Sequence, residues 1–338
     1  MIRARLRGAL AWLRGAEAAL AQAAPRLDAL NLFPVPDADT GSNMLATVRA
    51  ARQAAERSAG TDMSAVLRDA GAAALDSARG NSGTLLAVAL VGLAAPLTPD
   101  APLTTAELAA GARAADRAAR AALSDPREGT ILTVLREAAT VLEAAAAGGR
   151  EPAEALGSVV EAARRAVEDT EGQLAPLTRA RVVDAGAVGL LLVLEALRAE
   201  VTRTPFDEGV VAALHGWADG PGAAGEDPQA DGREAPGVEV MCSIDLTPVD
   251  AAGLRRGLEE AGDSVILAPL SRAVDGAGRL RWRVHVHVAR AEDAVALLEA
   301  AGAPEEVAVT DLWDPAHRHP DDPAEGDAAS PAPDGHGR

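Results

Sequence analysis

The amino-acid sequence predicts an all-α region over residues 1–200 and a small two-layer α+β domain over residues 238–312. A helix end and flexible linker join them at residues 201–237, and a disordered acidic tail follows at residues 313–338. Three observations carry this expectation. Apolar side chains recur at helical spacing from Ile2 to Glu200, interrupted by short polar loops. A Gly-, Pro- and acid-rich stretch, GWADGPGAAGEDPQADGREAPG at residues 216–237, breaks that periodicity. Beyond it, short apolar and alternating runs follow in β-α-β-β-α-β order, the pattern of helices laid on one face of a sheet.

The elements follow in order. Residues 2–24 form a helix that Pro25 ends, with a further helical turn from Arg26 to Leu30. Residues 31–41 read as loop, because Pro34 and Pro36 remove donors and restrict the residues before them. Helices are expected from Ser42 to Ser58, over residues 63–77, and over residues 84–94 after the turn Arg79-Gly-Asn-Ser-Gly83. Thr104 to Ser124 is a helix with a capping box, Thr104 standing three residues ahead of Glu107. After a loop at residues 125–129, three helices cover Thr130–Ala147, Glu151–Asp169 and Val188–Glu200. In the second domain, strands are expected at Val238–Leu246, Ser264–Ala268, Leu280–Val288 and Glu306–Thr310, with helices at Pro248–Ala261 and Ala291–Glu299.

Composition narrows the functions open to such a chain. Phe33, Phe206 and four Trp are its only aromatics, so Ala and Leu must fill the core, which suits closely packed helices. A net charge of -18 disfavours nucleic-acid binding, where affinity comes largely from Lys and Arg. It still permits an anionic nucleotide when Mg2+ stands between carboxylates and phosphates. The lone Cys242 excludes an internal disulfide and fits a reducing compartment. The N-terminal MIRARLRGALAWLRGAEAAL is interrupted by Arg3, Arg5, Arg7 and Arg14 and so lacks an export-type apolar core. The apolar run at residues 85–97 is short for a membrane crossing. Cytoplasmic residence without an integral membrane segment is therefore expected.

Asp37-Ala-Asp39-Thr-Gly41 carries the sharpest chemistry. Two carboxylates two positions apart, in a proline-stiffened loop, can face one hard cation, with Asn31 adding an oxygen or orienting an acid. An Asx-turn capping the next helix accounts for the same residues equally well. Gly80-Asn-Ser-Gly83 also opens a helix, and its glycines and Ser82 suit phosphate oxygens. Glu128-Gly-Thr130 and Asp184-Ala-Gly186 are weaker instances of the same pattern. If these helix ends converge, they form a polar crater suited to a nucleotide. No Walker GxxxxGK[ST], GxGxxG or GxSxG run occurs, and residues 1–200 hold no histidine. Positioning plus metal electrostatics, as in phosphoryl transfer, remains available. In the second domain His285 and His287 point to one face of a strand and form half of a zinc site, with Glu239 or Cys242 as third ligand. The competing reading is a surface-facing pair. His317, His319 and His336 in the tail are read as solvated, and Trp12, Trp217 and Trp282 as packing residues.

Asn31-x-Phe-Pro-Val-Pro-Asp-x-Asp-Thr-Gly-Ser-Asn-Met44 resembles the signature of the L-type nucleotide-binding domain of dihydroxyacetone kinases, nearest to the branch found in bacterial fatty-acid kinase catalytic subunits. Ala-Arg-Gly-Asn-Ser-Gly83, Glu-Gly-Thr-Ile-Leu-Thr-Val-Leu-Arg-Glu-Ala-Ala139 and Val-Asp-Ala-Gly186 resemble the later motifs of that family in the same order. The resemblance implies an eight-helix barrel with ATP at one end. It places Asn31, Asp37 and Asp39 at two Mg2+ ions, with Thr40, Ser42, Asn43, Ser82 and Thr130 at the phosphates or nucleotide. Asp184 and Gly186 would lie near the nucleotide pocket. The family has Gly where Ala38 stands, a departure that matters if the loop needs φ above zero.

Gly-Asp-Ser264 and Val-His-Val-His287 resemble the fatty-acid kinase middle domain, in which a Cys joins two histidines at zinc; that place falls on Glu239 here. The third domain of longer relatives has no counterpart in these residues. The implied activity is transfer of phosphate from Mg-ATP to a fatty acid carboxylate presented by a separate fatty-acid-binding protein, with a homodimer as a candidate assembly. The alternatives are a dihydroxyacetone (glycerone) kinase L-like component and a catalytically weak nucleotide-binding scaffold.

Overall fold

The computed structural model describes residues 2–58, 62–99, 103–218, 237–270 and 274–312. Most of the expected linker, the whole 313–338 tail and His317, His319 and His336 lie outside the described residues.

The helical part comprises α1 (Ile2–Ala29), α2 (Thr40–Arg57), α3 (Met63–Ser77), α4 (Gly80–Ala94), α5 (Thr105–Ala122), α6 (Ile131–Ala147), α7 (Pro152–Thr170), α8 (Ala175–Ala180) and α9 (Ala185–Thr202). Eight of these are long, and α8 is a six-residue helix that periodicity does not reveal. Each of α1 to α6 packs on the next in the chain, α7 packs on α9, and α9 returns to α1. Their shared core is aliphatic, built from Leu13, Leu20, Leu27, Met44, Leu75, Leu86, Ile131 and Leu191. Small residues let backbones approach closely. A Cβ on Gly41 would stand 2.4 Å from the Ala24 carbonyl oxygen of α1, so glycine is required where the two helices touch.

Pro25 does not end α1, which runs through it to Ala29. The apolar stripe explains this: Leu20, Ala23, Ala24 and Leu27 are all buried on one face, and their packing outweighs the one lost backbone bond. Helices α2, α4 and α9 begin at Thr40, Gly80 and Ala185, each two to four residues before the expected start. In each case glycine in the first helical turn reads as loop in the bare sequence. The capping box at Thr104 and Glu107 is formed as expected.

The second part holds β1 (Val238–Leu246), α10 (Pro248–Ala261), β2 (Gly262–Pro269), β3 (Leu280–Val288), α11 (Ala291–Ala301) and β4 (Pro304–Asp311). Its antiparallel sheet has strand order β2-β3-β1-β4. The two-residue period sorts the side chains. Val240, Cys242, Ile244, Val284 and Val286 enter a core with Leu254 and Leu258 of α10 and Leu298 of α11. Glu239, His285 and His287 take the opposite face. The sheet docks on the helical part through β2, where Ile266 and Ala268 join the helical core. Leu123 and Ile266 form an antiparallel bridge, the Ser124 N–H donates to the Val265 carbonyl at 3.1 Å, and Arg255 donates to the Ala121 carbonyl at 3.0 Å. Among the described residues, no helix is long and apolar enough to cross a membrane.

Candidate active site

The N-termini of α2, α4, α6 and α9 meet at one end of the helical part. A Cβ on Gly80 would stand 2.5 Å from Asn43 Nδ2, and one on Gly186 would stand 2.9 Å from Ser82 Oγ. Asp184 caps α9 by accepting the Ala187 N–H at 2.7 Å, and it also accepts the backbone N–H of Ile131 at the start of α6. Each N-terminus carries a partial positive charge, so their convergence favours an anion.

Into this end projects the loop 31–39. Its narrow cleft is lined by Asn31, Phe33, Pro34, Val35, Asp37, Asp39, Thr40, Asn43, Asn81 and Ser82. The Asp37 and Asp39 carboxyls hydrogen-bond each other, and Asn31 Nδ2 donates to Asp37 Oδ1. Burial, then the Asp39 charge, pushes Asp37 up to about 8, and burial raises Asp39 as well. Two half-buried carboxyls that resist ionising together suit a cation, since a hard cation can replace the shared proton. Asp39 takes the N-cap position of α2 but makes no side-chain cap hydrogen bond. Its carboxyl is therefore turned to Asp37 and the cleft, and the capping reading of this loop fails. Ala38 has φ 56°, the left-handed region that a β-carbon disfavours, so the alanine is strained where the resembling family has glycine.

The cap of α2 is Asp28, at the end of α1. Its Oδ1 accepts the N–H of Gly41 at 2.6 Å and of Ser42 at 3.1 Å, and its Oδ2 accepts the Ser42 hydroxyl at 2.8 Å. Ser42, expected at the phosphates, donates both its N–H and its hydroxyl to Asp28 here. Thr130 caps α6 by accepting the Leu132 N–H at 3.3 Å. Asp184 is buried and pushed up to about 7 by that burial. Two groups went unselected by sequence reasoning. Asp28 has no local signature, since only the unbroken α1 carries it to Gly41. Asn81, whose buried Oδ1 lacks a hydrogen-bond partner, lay in plain view within Gly-Asn-Ser.

Glu239, His285 and His287 form a second cluster, buried, with one ligand atom from each lying within 4.8 Å of the others. Glu239 Oε1 lies 3.0 Å from His285 Nδ1, outside hydrogen-bonding alignment, so neither ring nitrogen of His285 has a partner, nor does Nδ1 of His287. Burial, then His285, lowers His287 to about 3, leaving the neutral, ligating imidazole. Burial opposes the Glu239 charge, but His285, His287 and the Gly80 N–H hold this carboxyl down at about 2. Orphaned imidazole nitrogens beside an ionised carboxylate suit a zinc-type ion chemically. Cys242 lies in the apolar core beneath the helices, with its thiol pushed up to about 11 by burial, so it stands outside the cluster.

The structure thus brings helix N-termini and paired acids together at one end of the helical part, close to a His-His-Glu cluster on the sheet. Residues 34–199 match the DAK2 domain, and residues 235–319 match the FakA-like middle domain of fatty acid kinases. The chain therefore carries a DAK2 domain followed by a middle domain of the fatty acid kinase type. An uncharacterized protein of Staphylococcus epidermidis is 32% identical over 176 residues, 52% of this chain and 32% of the relative. One from Staphylococcus aureus is 33% identical over 176 residues, with the same coverage. The chain spans about a third of the length of these curated relatives. Two structures of the dihydroxyacetone kinase of C. freundii are also similar. The complex with AMP-PNP and Mg2+ has a TM-score of 0.42 at 21% identity, covering 56% of this chain and 33% of that one. The native form has a TM-score of 0.41 at 20% identity, covering 56% and 34%.

Proposed function

We propose that this chain binds Mg-ATP and transfers the γ-phosphoryl group to a fatty acid carboxylate held by a separate binding protein. A carboxylate oxygen bonds to the γ-phosphorus, the bond to the β,γ-bridging oxygen breaks, and ADP and an acyl phosphate leave. The observation that carries the reading is the Asp37–Asp39 pair at the junction of four helix N-termini. Asn31, Asp37 and Asp39 would hold Mg2+, which neutralises phosphate charge when bound. Thr40, Asn43, Ser82 and Thr130 would orient the phosphates, while Asp184 and Gly186 fix α9 against Ser82 and α6. Glu239, His285 and His287 would hold Zn2+.

The middle-domain match supports the acyl acceptor. The DAK2 match supports a second reading, a glycerone kinase L-like component.

The test is Mg2+-dependent ATP turnover with a fatty-acid-loaded binding protein, or with dihydroxyacetone and its binding protein, in wild type and Asp37→Ala/Asp39→Ala. Turnover with the lipid carrier, lost in the double variant, supports the acyl reading. Turnover only with the ketone system supports the second. ATP binding without turnover on either leaves a nucleotide-binding scaffold, and no ATP binding refutes the assignment of the acidic loop.

A further inference from the structure

Glu239 belongs to the metal cluster of the middle domain, yet it also reaches the phosphate turn of the helical part. Its Oε1 accepts the Gly80 N–H at 3.1 Å and lies 3.0 Å from His285 Nδ1. Gly80 opens α4, and its φ of 58° turns the chain there. On the side of Gly80 toward α2 stand Asn43 Nδ2 and, 3.8 Å from where a Cβ would lie, Asp39 Oδ1. Glu239 and Asp39 therefore flank one glycine. The cluster of the middle domain and the acidic loop of the helical part are two halves of one electrostatic unit, joined through Gly80.

Without a cation at the cluster, an ionised and buried Glu239 occupies an N–H at the start of α4 and sets a negative charge beside the phosphate turn. A divalent cation there reverses the sign of the local field. We propose that Glu239 is a positioning residue linking the two sites, such that a cation held by Glu239, His285 and His287 strengthens nucleotide binding at the Gly80–Ser82 turn. The inference rests on the nucleotide reading of the acidic loop. It makes cation occupancy of the middle domain a condition of tight nucleotide binding in the helical part.

The test measures Mg-ADP binding by calorimetry on the full chain, first stripped of zinc by chelation and then loaded with one equivalent of Zn2+ and desalted. Zinc should tighten Mg-ADP binding at least about fivefold, and by reciprocity Mg-ADP should tighten Zn2+ binding by the same factor. Glu239→Gln keeps an acceptor for Gly80 but removes the charge. It should bind Mg-ADP more tightly than the zinc-free wild type and should not respond to zinc. A merely structural Glu239 predicts the opposite, weaker binding in the variant. Equal Mg-ADP affinity of the wild type with and without zinc, or weaker binding by Glu239→Gln than by zinc-free wild type, overturns the linkage and leaves the nucleotide reading standing. Absence of Mg-ADP binding in every state overturns both.

Discussion

Titrating Mg2+ into the nucleotide-free protein at pH 7 should release close to one proton per ion bound. Asp37 is pushed up to about 8 by burial and by Asp39, so about nine-tenths of it is protonated at pH 7 and about one-tenth at pH 9. A cation at this pair must displace that proton. The competition weakens apparent Mg2+ affinity about elevenfold at pH 7 and hardly at pH 9, so binding should tighten roughly tenfold between them, about 1.4 kcal/mol. Asp39, raised in the same direction, adds to the effect. Calorimetry in buffers of different ionisation enthalpy counts the protons directly. The sign for stability follows from the same shift. A carboxyl whose folded value lies above its ordinary value of 3.8 contributes stability that is fully present below that value and is lost as pH rises through about 8. The cation-free protein should therefore be less stable to urea at pH 8 than at pH 5, and saturating Mg2+ should offset the difference. Heats independent of buffer at pH 7, or one apparent affinity at both pH values, would refute the shared-proton site.

Ala38→Gly relieves a left-handed β-carbon worth about 1–2 kcal/mol while adding about 0.5–1 kcal/mol of unfolded-state freedom. A net gain of about 0.5–1 kcal/mol in urea unfolding is expected, and a lowered midpoint would show that the loop does not hold φ 56°. Asp28→Ala removes three hydrogen bonds from the first turn of α2. It should cost about 1–2 kcal/mol and weaken Mg2+ binding, because Asp39 is fixed by that turn. Unchanged stability would show that water caps the helix as well as Asp28 does.

The architecture was legible because its period is. Apolar spacing located the long helices, and alternation located all four strands, down to the face shared by His285 and His287. The helix starts were misread where Gly41, Gly80 and Gly186 stand. Local propensity treats glycine as a breaker, but here each glycine opens a helix because a neighbouring element leaves no room for a β-carbon: Ala24 at Gly41, Asn43 at Gly80 and Ser82 at Gly186. Pro25 misled for a related reason, the packing of Leu20, Leu27 and their neighbours outweighing one lost bond. The acidic pair and the histidine pair declared themselves through residue type and spacing. Asp28 did not, because its role depends on tertiary contact between helices that the chain separates by a loop. Nor did the link from Glu239 to Gly80, which spans 159 positions and leaves no trace in either local pattern.

That span has a consequence for how the protein is made. The last long helix ends at Thr202, but the Gly80 N–H and the Leu123–Ser124 edge find partners in β1 and β2, which end at Leu246 and Pro269. At about 5–20 residues per second, synthesis of the chain from Thr202 to Pro269 takes roughly 3–13 s. For that interval a nascent helical bundle carries an open polar mouth and an unpaired backbone edge, so the crater is completed only after the sheet has emerged from the ribosome. Truncation before Val238 should therefore remove the partners of Gly80, Leu123 and Ser124 together.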